Sequence, residues 1–161
     1  MKPGLTELND LYHKSMRLKY PSFPISYIAP PKYKDTSANG LTKCIIEFLN
    51  MSGHQAERIS NTGRQIDNRK TYSDTLGQSR TIGSITWIKG TGTNGTSDIS
   101  ATIKGRSVKV EVKIGKDKQS DQQKEYQKQI ESAGGIYYLA QDFESFYNFY
   151  NQTFINKQDG L

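Results

Sequence analysis

The chain has 161 residues, 34% of them apolar, and its 22 Lys and Arg outnumber 16 Asp and Glu for a net charge of +6. That length suits one domain with a short appendage, and the positive balance favours an anionic partner. A single cysteine excludes an internal disulfide, two histidines leave no His/Cys zinc set, and no apolar run approaches the ~18 residues of a membrane span. Ten tyrosines, six phenylalanines and one tryptophan argue against disorder. The start, Met1-Lys2-Pro3-Gly4, lacks the apolar stretch of a signal peptide, so a cytoplasmic protein is expected.

Residues 5–19 fit a helix whose Leu5, Leu8, Leu11 and Tyr12 share one face. The prolines at 21, 24, 30 and 31 then force an extended connection. Residues 1–36 are therefore expected as an arm ahead of a main domain over 37–155, with 156–161 as a tail. A second helix, about 41–52, carries Leu41, Cys44, Ile45, Phe48 and Leu49, and Gly53 is its stop signal. A short strand at 55–60 and a turn at 61–63 follow. Residues 64–96 are polar and turn-rich apart from an expected strand over 82–88, and the glycine-rich 89–95 is expected as a mobile loop. Two segments of period two, 98–103 and 107–114, flank Gly105-Arg106 as the expected hairpin turn. Ser120 is placed to cap a helix running to about Ala133, which Gly134-Gly135 ends. An apolar strand at 136–140 and a last helix capped by Asp142 complete an α/β domain with a mixed sheet.

The hairpin carries the chemistry. With Gly105 and Arg106 as turn residues, Thr102 faces Lys109, Ser100 faces Glu111 and Asp98 faces Lys113. Alternation gathers Val108, Val110, Val112, Ile114, Ile99, Ala101 and Ile103 on one face. The other face carries Asp98, Ser100, Lys109, Glu111 and Lys113, with Asp98 and Glu111 as diagonal neighbours about 7 Å apart at Cα. Two such carboxylates suit one hard divalent cation, with Lys113 beside it for a water or phosphate oxygen. The same pattern also fits a solvated face with ordinary cross-strand ion pairs. In the next helix Tyr126, Ile130 and Ala133 mark an inward face, and Gln123 lies on it one turn earlier. Gln123 is placed either to touch the metal water or substrate or to be a buried amide satisfied by backbone.

Gly95-Thr96-Ser97-Asp98-Ile99, Glu111-Val112-Lys113, the stretch from Asp117 through Ser120 to Gln123, and Gly134-Gly135-Ile136-Tyr137 follow in that order. Together they resemble the VRR-NUC family of PD-(D/E)XK nucleases, of phage and bacterial type, over about residues 37–150. Arg58, Asn61 and Gly63 also match the family's R-x-x-N-x-G region. The resemblance implies a restriction-endonuclease-like fold, a mixed β-sheet flanked by helices in the order α-β-β-β-α-β. It implies that Asp98, Glu111 and the Val112 carbonyl ligate Mg²⁺ or Mn²⁺. Lys113 would orient or activate the attacking water and stabilise developing charge, with Gln123 as a secondary site residue. The reaction implied is hydrolysis of a DNA phosphodiester. The acid that the family often carries at the start of its first helix falls near Ala38 or Asn39, where there is none. Glu47 is expected on an exposed flank, Asp35 lies too early and Glu57 lies on the first strand.

Arg64, Arg69, Lys70, Arg80 and Lys89 face only Asp67 and Asp74 within 64–96, and Arg106, Lys109, Lys116 and Lys118 surround the expected site. With Arg58 and Asn61, these residues are expected to follow a DNA backbone rather than read bases. Tyr12, Tyr20, Tyr27 and Tyr33 are expected to pack the arm onto the domain or a second subunit, with stacking on bases as the alternative, and the aromatics of 143–150 to form core and dimer contacts. A homodimer acting on branched DNA follows by analogy with junction resolvases. The competing expectations are a DNA-binding module that keeps the fold without catalysis, and a phage structural or replication component.

Overall fold

In a computed structural model, which describes residues 2–29, 31–60, 63–88, 90 and 92–156, the chain divides into two compact units. One comprises residues 1–59 and 95–161, the other 60–94. Asn61, Lys89 and the tail beyond 156 lie outside the described residues.

The larger unit is α/β with a mixed four-stranded sheet. Its elements are α1 (Pro3–Lys19), α2 (Ala38–Met51), β1 (Gln55–Arg58), then, beyond the smaller unit, β6 (Ile99–Ile103), β7 (Arg106–Val112), α3 (Asp121–Ser132), β8 (Ile136–Ala140) and α4 (Phe143–Tyr150). Strand order is β1-β6-β7-β8, with β1, β6 and β7 antiparallel in succession and β8 parallel to β7. Parallel β7 and β8 require a crossover, and α3 supplies it.

Period-two alternation makes the two faces of this sheet chemically unlike. Ala56, Ile99, Ala101, Ile103, Val108, Val110, Val112 and Ala140 are buried against Leu41, Cys44, Ile45, Phe48 and Leu49 of α2 and Phe143, Phe146 and Tyr150 of α4. Phe48 is the hub, with edge-on contacts to Phe143, Phe146, Tyr147 and Tyr150 at ring separations of 5.1–6.4 Å. The other face, bearing Ser100, Lys109, Glu111 and Tyr137, is covered by α3, none of whose residues is fully buried.

Expected and observed elements agree closely in this unit, with two differences. The hairpin turns on Lys104 and Gly105, not on Gly105 and Arg106. Both have positive φ, 47° and 78°, the geometry of a type I′ turn. Register therefore moves by one pair. Ser100 faces Lys109 and Thr102 faces Ser107, while each residue keeps its face because the shift is even. Residues 1–36, expected as a separate arm, contribute α1 to the core: Leu8 is fully buried, and the Gly4 amide donates to Glu144 of α4 at 2.9 Å. Tyr12 and Tyr33 pack edge to face, and the Tyr33 hydroxyl donates to Glu47 at 2.6 Å, whereas Tyr20 and Tyr27 stay exposed.

The smaller unit differs more from expectation. In place of one strand over 82–88 it holds β2 (Arg64–Asp67), β3 (Lys70–Ser73), β4 (Ser79–Ile82) and β5 (Ile85–Ile88), with β2 paired to β5 and β3 to β4. Gly83, at φ 94°, breaks the expected strand; a Cβ there would lie 2.3 Å from the Asn68 carbonyl oxygen.

Asp35 ties the N-terminus to this core. It accepts from the Lys2 ammonium at 3.0 Å and from the Phe143 amide, at the start of α4, at 3.2 Å. Burial alone would raise its carboxyl, but Lys2 and the Phe143 amide outweigh burial and hold it below the ordinary range. A carboxyl depressed by folding stabilises above its unfolded pKa, and that stabilisation is lost as pH falls through the folded value. Asp35→Asn is expected to lower the melting temperature by about 3 °C at pH 7. The gap from wild type should close as the medium is acidified, as thermal melts across pH 7 to 2 would record.

Candidate functional site

The site is built where β7 leaves the core. Glu111 stands on the α3 face of the sheet with its side chain only 2% exposed. A buried carboxylate costs several kcal/mol unless charge and hydrogen bonds compensate it. Here the compensation is lopsided. Oε1 takes both the Lys113 ammonium, at 3.0 Å, and the Gln123 side-chain amide, while Oε2 is buried with no hydrogen-bond partner among the described residues. Burial pushes the Glu111 carboxyl above its ordinary range; Lys113 opposes this, and the Asp98 charge adds to it. Burial tends to lower the Lys113 ammonium, but Glu111 and Asp117 overcome it and hold it raised.

Asp98 immediately precedes β6, and continuing the observed register one residue past the Ile99–Val110 pair puts it level with Glu111 rather than diagonal to it. Its Oδ2 accepts from the Val112 amide at 2.9 Å, so the carboxylate is held against the end of β7. The loop that delivers it depends on Gly95. That residue has φ 77°, and a Cβ on it would lie 2.5 Å from the carbonyl carbon and oxygen of Gln122. Only glycine lets the Asp98 loop close on the first turn of α3.

That turn delivers Gln123. Ser120 is the N-cap, accepting from the Gln123 amide at 3.3 Å, while Gln123 Oε1 accepts from the Ser120 amide at 2.9 Å. In this capping box the amide oxygen of Gln123 is committed to the backbone, which aims its NH₂ at Glu111. Backbone satisfaction, one of the two roles considered for Gln123, is met at its oxygen, while its nitrogen contacts Glu111.

Asp98, Glu111, Val112, Lys113 and Gln123 are brought together. Lys109 shares their sheet face and donates to the Ser100 hydroxyl. Lys116 and Lys118 are exposed in the loop between β7 and α3. Arg58 is not part of this cluster. It pairs with Ile99, which puts it on the opposite face of the sheet, where it lines a groove with Thr42, Lys43, Ile46 and Glu47 of α2. Arg64 belongs to the smaller unit. Glu47 is partly exposed and is committed to Tyr33 and Lys43.

Two site residues went without a role in the sequence reading. Asp117 lies 3.5 Å from the Lys113 ammonium. Tyr137 shares the face of Glu111 by strand parity, its ring 6.3 Å from that of Tyr126, and its hydroxyl is buried beside Gln119. Burial and the neighbouring Glu111 charge raise that phenol. Parity alone placed Tyr137; the burial of its hydroxyl depends on the fold.

All candidate donors at this site are oxygen atoms, the chemistry of a hard divalent cation. Among the described residues no group of three or more His, Cys, Asp or Glu side chains is placed to hold a metal. Asp98 and Glu111 are the two carboxylates that the sequence expects at the cation, and the bare, buried Oε2 of Glu111 is the atom that a cation would satisfy. A scan against protein-family models finds no match, and no curated protein matches the chain. No described helix is long and apolar enough to cross a membrane.

Substitutions at Gln123 separate its two functions. Gln123→Ala removes both the box and the Glu111 contact and is expected to cost about 2 kcal/mol. Gln123→Glu keeps a capping box but sets a carboxylate against Glu111. Its deficit in urea unfolding should be large at pH 7 and shrink near pH 4, where one carboxyl carries a proton and can donate.

Proposed function

We propose that this chain is a divalent-metal-dependent DNA endonuclease of restriction-endonuclease-like fold, related to the VRR-NUC nucleases it resembles. The observation that carries the reading is the half-satisfied Glu111 carboxylate, with Asp98 at the adjoining strand end and Lys113 on the same face. An α/β unit with a mixed sheet and the element order helix, strand, hairpin, helix, strand is compatible with it.

In this reading Glu111 Oε2, Asp98 and the Val112 carbonyl hold Mg²⁺ or Mn²⁺. The cation supplies Lewis acidity at a phosphoryl oxygen and lowers the pKa of nearby water. The chain's own residues do the rest. Lys113, held by Glu111 and Asp117, presents an ammonium to the charge that grows on the phosphoryl oxygens, which such a donor stabilises most in the transition state. Gln123 fixes the orientation of Glu111 and so acts as a positioning residue. A water oxygen forms a bond to phosphorus as one phosphorus–sugar oxygen bond breaks. The attacking water gives up a proton to solvent, and the departing oxygen takes one up.

Sugar edges and base edges have no dedicated reader among these residues, so recognition rests on backbone and shape. On the resemblance we read the substrate as branched DNA, with a homodimer supplying two sites for two strands. A second reading, a DNA-binding module with the same fold and no efficient catalysis, is favoured by the absence, among the described residues, of any group of three or more His, Cys, Asp or Glu side chains placed to hold a metal.

The test is cleavage of linear, flapped and four-way-junction DNA in Mg²⁺, Mn²⁺ or chelator. The nuclease reading expects metal-dependent cutting, strongest on branched DNA, and a loss of about 10²-fold or more in Asp98→Ala, Glu111→Gln and Lys113→Ala. Binding without cleavage in either metal would favour the non-catalytic module. Cleavage undiminished by the three substitutions would overturn the site assignment.

A further inference from the structure

The smaller unit is one continuous ribbon rather than two hairpins. Arg64 pairs with Ile88 and Asp67 with Ile85; beyond the Gly83 kink, Lys70 pairs with Ile82 and Ser73 with Ser79, all in the same register. Bonds from the Asn68 amide to the Ser84 carbonyl (3.2 Å) and from the Asp74 amide to the Gln78 carbonyl (2.9 Å) continue that ladder across the kink and into the turn. At about 3.4 Å per residue, the ten residues from 64 to 73 span roughly 34 Å.

Every side chain of its four strands except Ile66 is exposed, including Trp87 at 64% and Tyr72 at 49%. A lone two-stranded ribbon is marginally stable in water, and its charge indicates what it meets. On one face Arg69 clamps Asp67 with two bonds, at 2.9 and 2.8 Å, and neutralises it. The other face carries Arg64, Lys70 and Arg80 beside Tyr72 and Ile82, with Asp74 at the tip as its one acid. Asp74 is spent on the turn, accepting from the Leu76 and Gln78 amides as well as from Arg80. Cations thus share one long face with Tyr72, Ile82 and Ile88, and the opposite face is neutral and carries Trp87 and Ile85.

We propose that this ribbon is a duplex-DNA-binding arm that lays its Arg64/Lys70/Tyr72 face along a groove. The proposal rests on the reading of DNA as the substrate. A two-stranded ribbon fits the major groove, and its length matches about one helical turn, so cations spaced along it meet successive phosphates. Isoleucine and threonine side chains between them suit the apolar groove floor offered by thymine methyls.

The test measures binding of the full-length protein to a labelled 25-base-pair duplex by fluorescence anisotropy, in chelator so that no cutting intervenes, across a salt series. Arg64→Gln/Lys70→Gln removes two positive charges from the proposed face. Gln65→Glu/Thr81→Glu lowers net charge equally on the opposite face. The proposal expects the first variant to bind roughly 50-fold more weakly near 0.1 M salt, with the slope of log K against log salt reduced by about 2. The second should keep the wild-type slope. Equal losses in both variants, or none in either, would overturn it. So would an Arg64→Gln/Lys70→Gln effect confined to oligomeric state in sedimentation, which would assign the face to a second copy of the chain. Cleavage in Mg²⁺ is scored separately: a wild type that binds through this face yet never cuts leaves the arm standing and removes the nuclease reading.

Discussion

A carboxylate buried on a sheet face must be compensated, and much of the local architecture follows from how Glu111 is. Lys113, two residues on and just past the end of β7, reaches back to Glu111 and supplies charge. Gln123 supplies a neutral donor from across the crossover, and can do so because the capping box holds its other end. Breaking a buried pair of this kind by deleting one partner costs roughly 3–5 kcal/mol. Such a group persists when it has work that an apolar residue cannot do. The second oxygen, left bare next to Asp98, is where that work is expected.

The rest of the larger unit positions these few atoms. The apolar face of the sheet, the Phe48 cluster and α1 make the platform rigid, while α3 covers the other face loosely enough to leave polar groups within it. Two backbone features set the geometry. The Lys104–Gly105 turn fixes the register that brings Asp98 level with Glu111, and Gly95 lets the Asp98 loop touch the turn bearing Gln123.

Much of this was legible in the sequence wherever burial leaves a periodic trace. The alternation in β6 and β7, the Ser120 cap, the Gly134 stop and the strand at Ile136–Ala140 all follow from local patterns. The hairpin register did not, because Lys104 occupies a left-handed position that Asn or Gly usually signals. A one-pair shift leaves every face unchanged and so leaves no mark in hydropathy. The ribbon over 64–88 was missed for the opposite reason: its strands bury almost nothing, and polar residues on both faces look like loop. A helix over 5–19 was foreseen, but its place in the core was not, since α1 meets α2 and α4 only through contacts distant in sequence. Within the site, the spacing of Asp98, Glu111 and Lys113 was visible, while the buried hydroxyl of Tyr137 required the fold.

The central claim is that the bare oxygen of Glu111 and the neighbouring Asp98 form one cation site. Paramagnetic Mn²⁺ added to isotopically labelled protein tests it directly, because broadening marks nuclei near the bound ion. The account predicts selective loss, at substoichiometric Mn²⁺, of the amide signals of Asp98, Glu111, Val112 and Lys113 and of the Gln123 side-chain NH₂, abolished in Asp98→Asn. Broadening centred instead on exposed acids such as Asp121 and Glu125, or unchanged in Asp98→Asn, would contradict it.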